Sequence, residues 1–376
     1  MAKQCKFNFK PLAGVISAVI CAALPLAAQA DFEYELSADA MLDAVSYSGS
    51  EFSENGQELY LRRANLGIEL EYNKLLNAEI SGEYSELDEE YSFKDVYVGI
   101  TPLKLLEFRV GRFKEPAGLE RNQGLKNQVF LERSLATNVF SFGRKTGIGV
   151  VVDGDGWNVE GALMNQQGKD EGYDDSRVLA LHASYNPYRN DAKTDFLHIG
   201  TSYSKRDATE RRYDIDEPTV APIYGNTIHS QRYRDADITS YGFEGAVGYK
   251  KLLLQAEYFD QTFNEADGDE YIHTGYYLTG SYTLLGGARQ YRKGEVKSNK
   301  DAPQILEIAA RISQADTVND GEGDSADVAS LIVNYYPTEN YRLALEYAAS
   351  DIQSYDNNVP LTLDGQAITA RIQLSF

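Results

Sequence analysis

The chain closes on Ile368-Thr369-Ala370-Arg371-Ile372-Gln373-Leu374-Ser375-Phe376, in which every even-numbered side chain is apolar and every odd-numbered one is polar. Successive side chains of an extended strand point to opposite faces, so this run has one oily face and one wet face. The same period recurs along the chain. Phe32, Tyr34, Leu36, Ala38, Ala40 and Leu42 alternate with Glu33, Glu35, Ser37, Asp39 and Asp43. Leu76, Ala78 and Ile80 alternate with Asn77, Glu79 and Ser81, and Leu343, Leu345 and Tyr347 alternate with Arg342 and Glu346. Strands of a soluble sandwich are usually about five or six residues long. Several runs here approach the ~10 residues that a tilted strand needs to cross a bilayer. Carboxylates also line the polar face of entire strands, so the pattern predicts an all-β transmembrane antiparallel barrel.

Counting runs gives about sixteen strands, near 31–46, 58–72, 75–85, 91–101, 105–113, 146–153, 157–165, 176–186, 196–205, 238–249, 252–262, 271–285, 304–315, 326–336, 341–353 and 366–376. An even number returns both ends to the inner side. Longer loops are then expected outside, near 47–57, 86–90, 114–145, 166–175, 206–237, 263–270, 316–325 and 354–365. The inner connections are mostly short; 286–303, long and basic, departs from the pattern.

Residues 1–30 read as a cleaved secretory signal. Lys3, Lys6 and Lys10 are its basic start, Leu12 to Ala28 its apolar stretch, and Ala28-Gln29-Ala30 its cleavage site. A mature chain of 31–376 loses both cysteines, Cys5 and Cys21, and with them any thiol chemistry. The formal charge of −21 for 376 residues argues against a nucleic-acid binder. A mean hydropathy of −0.43 suits a barrel in which every second residue is polar. Tyr is abundant (27) and Trp scarce (1); rings with a polar tip suit membrane interfaces.

No enzyme reading, cofactor or metal site emerges. His182, His198, His229 and His273 are scattered without ligand spacing. Gly147 and Gly149 give only a G-x-G inside a strand run. The acidic clusters near Glu86, Asp170, Asp267 and Asp316 lack calcium-loop spacing and fall in outer loops.

Segment 114–145 is different. It carries Lys114, Arg121, Lys126, Arg133, Arg144 and Lys145 against Glu115, Glu120 and Glu132, a cationic excess in an acidic protein. Folded into the lumen it would narrow the pore and select anions. Left outside, its basic groups would meet lipopolysaccharide phosphates. By parity, the inward basic wall residues are Arg63, Arg109, Arg311, Arg342 and Arg371. Inward carboxylates outnumber them, among them Asp43, Glu69, Glu79, Glu83, Glu107, Glu160, Glu244, Glu257, Glu307 and Glu346. Such a wall repels anions unless its charges are paired or masked.

The run Leu59-Tyr60-Leu61-Arg62-Arg63-Ala64 resembles a strand of the phosphate-selective porins O and P. The resemblance continues through Phe108-Arg109-Val110-Gly111-Arg112-Phe113, Gly118-Leu119-Glu120-Arg121 and Phe130-Leu131-Glu132-Arg133. Later, Thr274-Gly275-Tyr276-Tyr277, Tyr282-Thr283-Leu284 and Arg289-Gln290-Tyr291-Arg292 look like further family segments. The resemblance implies a sixteen-stranded barrel, usually a homotrimer in the outer membrane, with inward loops and a narrow zone of lysines and arginines that bind phosphate or polyphosphate. Two family lysines fall here on Arg121 and Lys126. Arg121, Lys126, Lys114, Arg133, Arg109 and Arg63 are therefore the expected anion-binding residues. Expected partners are small anions, outer-membrane lipid and lipopolysaccharide, and the barrel assembly machinery, to which a terminal Phe on the last strand is suited. Two other readings stay open: a general or weakly cation-preferring porin driven by the acidic wall, and a structural barrel with a plugged lumen.

Overall fold

The computed structural model describes residues 32–87, 89–167, 173–207, 212–213, 215–222, 227–230, 233–299 and 304–376; the export signal expected at 1–30 lies outside them. Sixteen strands form the barrel. They are β1 Phe32–Ser48, β2 Gly56–Tyr72, β3 Leu76–Ser85, β4 Glu90–Leu103, β5 Leu106–Lys114, β6 Arg144–Asp153, β7 Trp157–Gln167 and β8 Tyr173–Arg189. They continue as β9 Phe196–Arg206, β10 Asp237–Tyr249, β11 Leu252–Asn264, β12 Glu270–Leu285, β13 Ile305–Asp316, β14 Gly323–Thr338, β15 Tyr341–Asp356 and β16 Val359–Ser375. Each pairs with its chain neighbours, and β1 closes the ring on β16, Leu42 opposite Ile372. Closure leaves no barrel strand edge unpaired, as a lipid setting demands.

The alternation sorts as expected. Leu331, Leu345 and Ile372 stand on the outer face, each more than half exposed, while Ser330, Glu346 and Arg371 on the same strands are buried. Trp157, Tyr185, Tyr188, Tyr249 and Tyr341 project outward beside the inner turns, where amphipathic rings favour the headgroup level. Tight turns follow backbone chemistry. Asn73 and Lys74 both take positive φ, and Leu75 N–H donates to the Tyr72 carbonyl at 3.0 Å, closing a tight turn of three residues between Tyr72 and Leu76. Asn357 and Asn358 also both take positive φ, between the paired Asp356 and Val359 on the outer side. The loop expected at 354–365 is consequently a two-residue turn, because asparagine tolerates the left-handed conformation twice in succession.

The inner face is uneven. The segment between β5 and β6 carries two short helices, α1 Leu119–Asn122 and α2 Leu135–Phe140. Leu119, Val129, Phe130 and Leu131 pack with Phe196, Ala246, Leu253, Ala309, Ile332 and Ala344 of the wall. Tyr291 and Val296 join that cluster from a small hairpin that pairs Gln290–Arg292 with Glu295–Lys297. This hairpin lies within the long basic connection at 286–303. Its Tyr291 hydroxyl lies 2.7 Å from His198 Nδ1, and the Val296 carbonyl accepts from Gln123 Nε2 at 2.7 Å. Arg289 reaches back to Glu307 and to the Asn127 carbonyl. At the outer end, α2 packs with Phe259, Ala315, Val328 and Ile352 and with Ile215 and Ile228 of the β9–β10 connection.

Candidate functional site

The β5–β6 segment is tied to the inner face by its own backbone. Glu120 N–H donates to Glu257 at 2.6 Å, Leu131 N–H to Glu346 at 2.9 Å, and Ala136 N–H to Ser313 Oγ at 3.0 Å. The Val129 carbonyl accepts from Asn334 and Arg342, the Leu131 carbonyl from Arg371, and the Phe140 carbonyl from Gln261. These partners come from β11, β13, β14, β15 and β16. Backbone groups in an irregular segment need partners when buried, and the polar inner face supplies them. Wall carboxylates that a parity count leaves facing ions are largely occupied here.

Several are also paired with basic side chains. Arg371 holds Asp43 in a two-pronged pair at 2.6 and 2.7 Å, Arg289 holds Glu307, and Arg109 holds Glu107. Arg63 and Lys94 flank Glu83, and His182 and His198 share Glu244. The acid-rich wall is thus masked on β10–β16. Glu35, Glu69 and Glu79 remain aligned across β1, β2 and β3 toward the inner end, with no ion pair among the described residues.

On β2–β6 the inner side chains are less covered. Lys94, Asp95, Arg109, Lys114 and Arg144 are all partly exposed. Here the cations gather. Lys114, Arg121, Arg133 and Arg144 lie within electrostatic reach of one another, and Arg63 acts on Arg121 and Arg133. Arg144 pairs with Asp95 at 2.7 Å. Lys114 Nζ donates to the Asn122 carbonyl at 3.1 Å and Arg133 Nε reaches the Glu120 carbonyl at 3.4 Å; neither has an ion-pair partner among the described residues. Arg121 has neither a hydrogen bond nor an ion pair among those residues, and its Nε is fully buried without a partner. Burial and the neighbouring guanidiniums push Arg121 and Arg133 below the usual arginine range. Both stay cationic at neutral pH, since guanidinium deprotonates only under strongly alkaline conditions. Like charges held this close favour a mobile anion between them.

The segment enters this region through a buried pivot. Glu115 sits between Lys145 at 3.0 Å and Arg206, whose guanidinium stacks 3.2 Å from the Phe142 ring centre. Burial raises the Glu115 carboxyl, but Arg206 and Lys145 outweigh it and hold it down to about 2. Gly111 at φ 138° lies against the Val96 carbonyl, where a side chain would collide with the neighbouring strand.

Of the six expected residues, four converge: Lys114, Arg121, Arg133 and Arg63. Lys126 does not; it lines a recess with Tyr336, Asn340, Arg342 and Phe376 at the inner mouth. Arg109 sits apart on Glu107 and the Tyr97 ring. Two contributors escape parity. The β1–β2 register slips between Met41 and Leu42, so Arg62 and Arg63 both face inward. A second slip, between Ile80 and Gly82, turns Lys94 and Asp95 inward together. Bulges insert one residue into a strand and re-aim its side chains. Two basic residues in succession inside an alternating run, Arg62-Arg63, are the sequence mark of the first.

A cavity of about 140 Å³ adjoins the cluster, lined by Arg62, Arg63, Glu132, Arg133, Arg311 and Arg371 among others. Glu132 receives Arg62 at 2.9 and 3.0 Å, Arg371 at 2.9 Å and Arg63 at 3.4 Å.

Comparison with known proteins agrees with this architecture. Porin O of Pseudomonas aeruginosa is 24% identical over 92% of this chain and 89% of that protein. A protein of Caulobacter vibrioides without an assigned function is 25% identical over 78% of this chain and 63% of its own length. In solved structures, the anion-selective porin of Comamonas acidovorans superposes with a TM-score of 0.61 at 12% identity, covering 92% of this chain and all of that one. OmpT of Vibrio cholerae, an outer-membrane protein solved in one case as a trimer form, gives 0.60 at 11% identity over 92% of this chain and 98% of its own. Residues 36–376 match the family model for phosphate-selective porin O and P, and the chain belongs to that family of Gram-negative outer-membrane porins.

Proposed function

We propose that this porin is a passive channel for small anions, phosphate-like ones among them, and that segment 114–145 narrows its pore. The observation that carries this reading is the convergence of Lys114, Arg121 and Arg133 beside Arg63, the first three without an ion-paired carboxylate among the described residues. Segment 114–145 packs on the β10–β16 half of the inner face, and that half is the more deeply buried. The passage then runs along β2–β6, between the inner face of those strands and the cations of the segment. Cations at a narrow point select anions even in an acidic protein, because salt screens charges beyond about 8 Å at physiological strength. The chemistry is binding and release, not catalysis. Arg121, Arg133, Lys114 and Arg63 are the proposed anion contacts; Lys126 and Arg109 serve the inner mouth.

Reconstituted channels carrying chloride current test the reading. Millimolar phosphate is expected to reduce that current in a saturable manner, and a current indifferent to phosphate contradicts it. A second reading, mild cation preference, is favoured by the row Glu35, Glu69 and Glu79 at the inner end, which has no ion pair among the described residues. Homotrimer assembly, contact with lipopolysaccharide, barrel-assembly recognition of Phe376 and removal of residues 1–30 on export complete the proposal. Cross-linking and amino-terminal sequencing of the membrane form test the first and last.

A further inference from the structure

Arg121 and Arg133 repel each other, yet the β5–β6 segment holds them within electrostatic reach. Each stands next to a buried residue. Glu120 and Ser134 are 6% and 0% exposed, so neither meets a passing ion. Glu120 Oε2 accepts from both the N–H and the hydroxyl of Ser134, at 3.0 and 2.7 Å, and the Glu120 carbonyl takes Arg133 Nε at 3.4 Å. This clip joins the two stretches of chain that carry the two arginines. Glu120 is itself fixed to the wall. Its N–H donates to Glu257 at 2.6 Å, and Arg311, 4.2 Å from the Phe130 ring centre, donates to its Oε1 at 3.3 Å. Tyr277 donates to the same Glu257 oxygen at 2.6 Å. At Gly118 a side chain would run into the Glu257 carboxylate, so only glycine lets the segment come this close to the wall. Hydrogen bonds to a carboxylate are stronger than those between neutral groups, which suits a brace that must oppose repulsion.

We infer that Glu120, held to the wall by Glu257 and Arg311, sets the gap between Arg121 and Arg133 through its clip on Ser134, and thereby which anions the two guanidiniums hold together. The inference rests on the channel reading above, in which both arginines meet the anion. Glu120 is a positioning residue: it touches no ion in transit and acts through the spacing of its neighbours. A guanidinium fork fits two oxygens of one tetrahedral anion. Two such forks share one phosphate only across a narrow gap. Without the clip, mutual repulsion spreads them. A wider gap suits a longer dianion, whose two charges lie apart. The clip thus tunes the narrow point to compact anions without placing a further group in the passage.

The test is block of chloride current in planar bilayers by phosphate and by succinate, a longer dianion, for the wild type, Ser134→Ala, Glu120→Ala and the double variant. The readout is the ratio of the phosphate to the succinate concentration for half-block, measured where phosphate is doubly charged. A change in local charge acts on both dianions and largely cancels in this ratio. Ser134→Ala alters no charge and is expected to raise the ratio about threefold, and Glu120→Ala at least as much. In the double variant, Ser134→Ala is expected to add nothing to Glu120→Ala, because partners in one contact are not additive. An unchanged ratio in Ser134→Ala, or single effects that multiply in the double variant, overturns the inference and leaves the clip a structural tie. A wild type blocked by neither anion overturns the channel reading, and the inference with it. If Glu120→Ala loses the heat-modifiable mobility of a folded barrel, Glu120→Asp, one methylene shorter, takes its place in the cycle.

Discussion

Replacing Arg121 by Glu is the most informative charge reversal. Arg121 has no ion pair among the described residues, so its reversal breaks no existing pair. At about 8 Å in a water-like medium, two unit charges interact by roughly 0.5 kcal/mol. Reversal therefore moves the anion up by about 1 kcal/mol and the cation down by as much, an unscreened difference of about 2 kcal/mol. One Debye length of screening at 0.15 M salt cuts this to about 0.8 kcal/mol, or roughly fourfold in the anion-to-cation permeability ratio. The ratio is read from zero-current potentials across a planar bilayer. The shift is expected to fade at 1 M salt, where the Debye length is about 3 Å. Lys126→Glu, away in the inner-mouth recess, is expected to shift the ratio less than about twofold by the same screening. Equal shifts for the two variants, or none for Arg121→Glu, would refute the placement of the selective point.

Other expectations concern the frame. Arg371→Gln strands Asp43 and is expected to destabilise the barrel by about 3–5 kcal/mol, read by urea unfolding in vesicles with Trp157 as the fluorescent reporter; Arg371→Lys, lacking the planar fork, restores only part. Leu345→Arg puts a charge on the lipid face and is expected to cost about 2–4 kcal/mol near the midplane, whereas Ser330→Arg on the inner face is expected to change conductance more than lipid-dependent stability. Glu115 is held down to about 2 against an unperturbed 4.5 by Arg206 and Lys145 in spite of burial. A depressed carboxylate contributes its full stability above the unfolded value, on the order of 3 kcal/mol here, and loses it as pH falls from about 4.5 toward 2. Unfolding measured across that window is expected to show the loss in the wild type and not in Glu115→Gln.

The alternation made the barrel legible because strand parity is a local property. Leu343, Leu345 and Tyr347 declare an oily face whatever surrounds them. The Asn357-Asn358 turn was hidden by its polar neighbours, which read as a longer loop. The site was half legible. Lys114, Arg121 and Arg133 stand out as a cationic excess, but parity turns Arg63 inward without Arg62, since a one-residue bulge is invisible to a strict period. The masking of Glu257, Glu307 and Glu346 by segment backbone, Arg289 and Leu131 depends on pairings across far more than a hundred residues in two of the three cases, and only closure of the barrel creates them. The inner hairpin escaped for the same reason: Tyr291 and Val296 look like ordinary loop residues until His198 and Gln123 meet them.

If the cations at the narrow point outweigh the acidic charge of the rest of the protein, chloride crosses faster than potassium. The zero-current potential of the wild-type channel under a tenfold potassium chloride gradient, recorded at low salt, tests it most directly. The expected sign is the one that means chloride crosses faster than potassium; a potential of the opposite sign, with potassium favoured, would overturn anion selection at the narrow point.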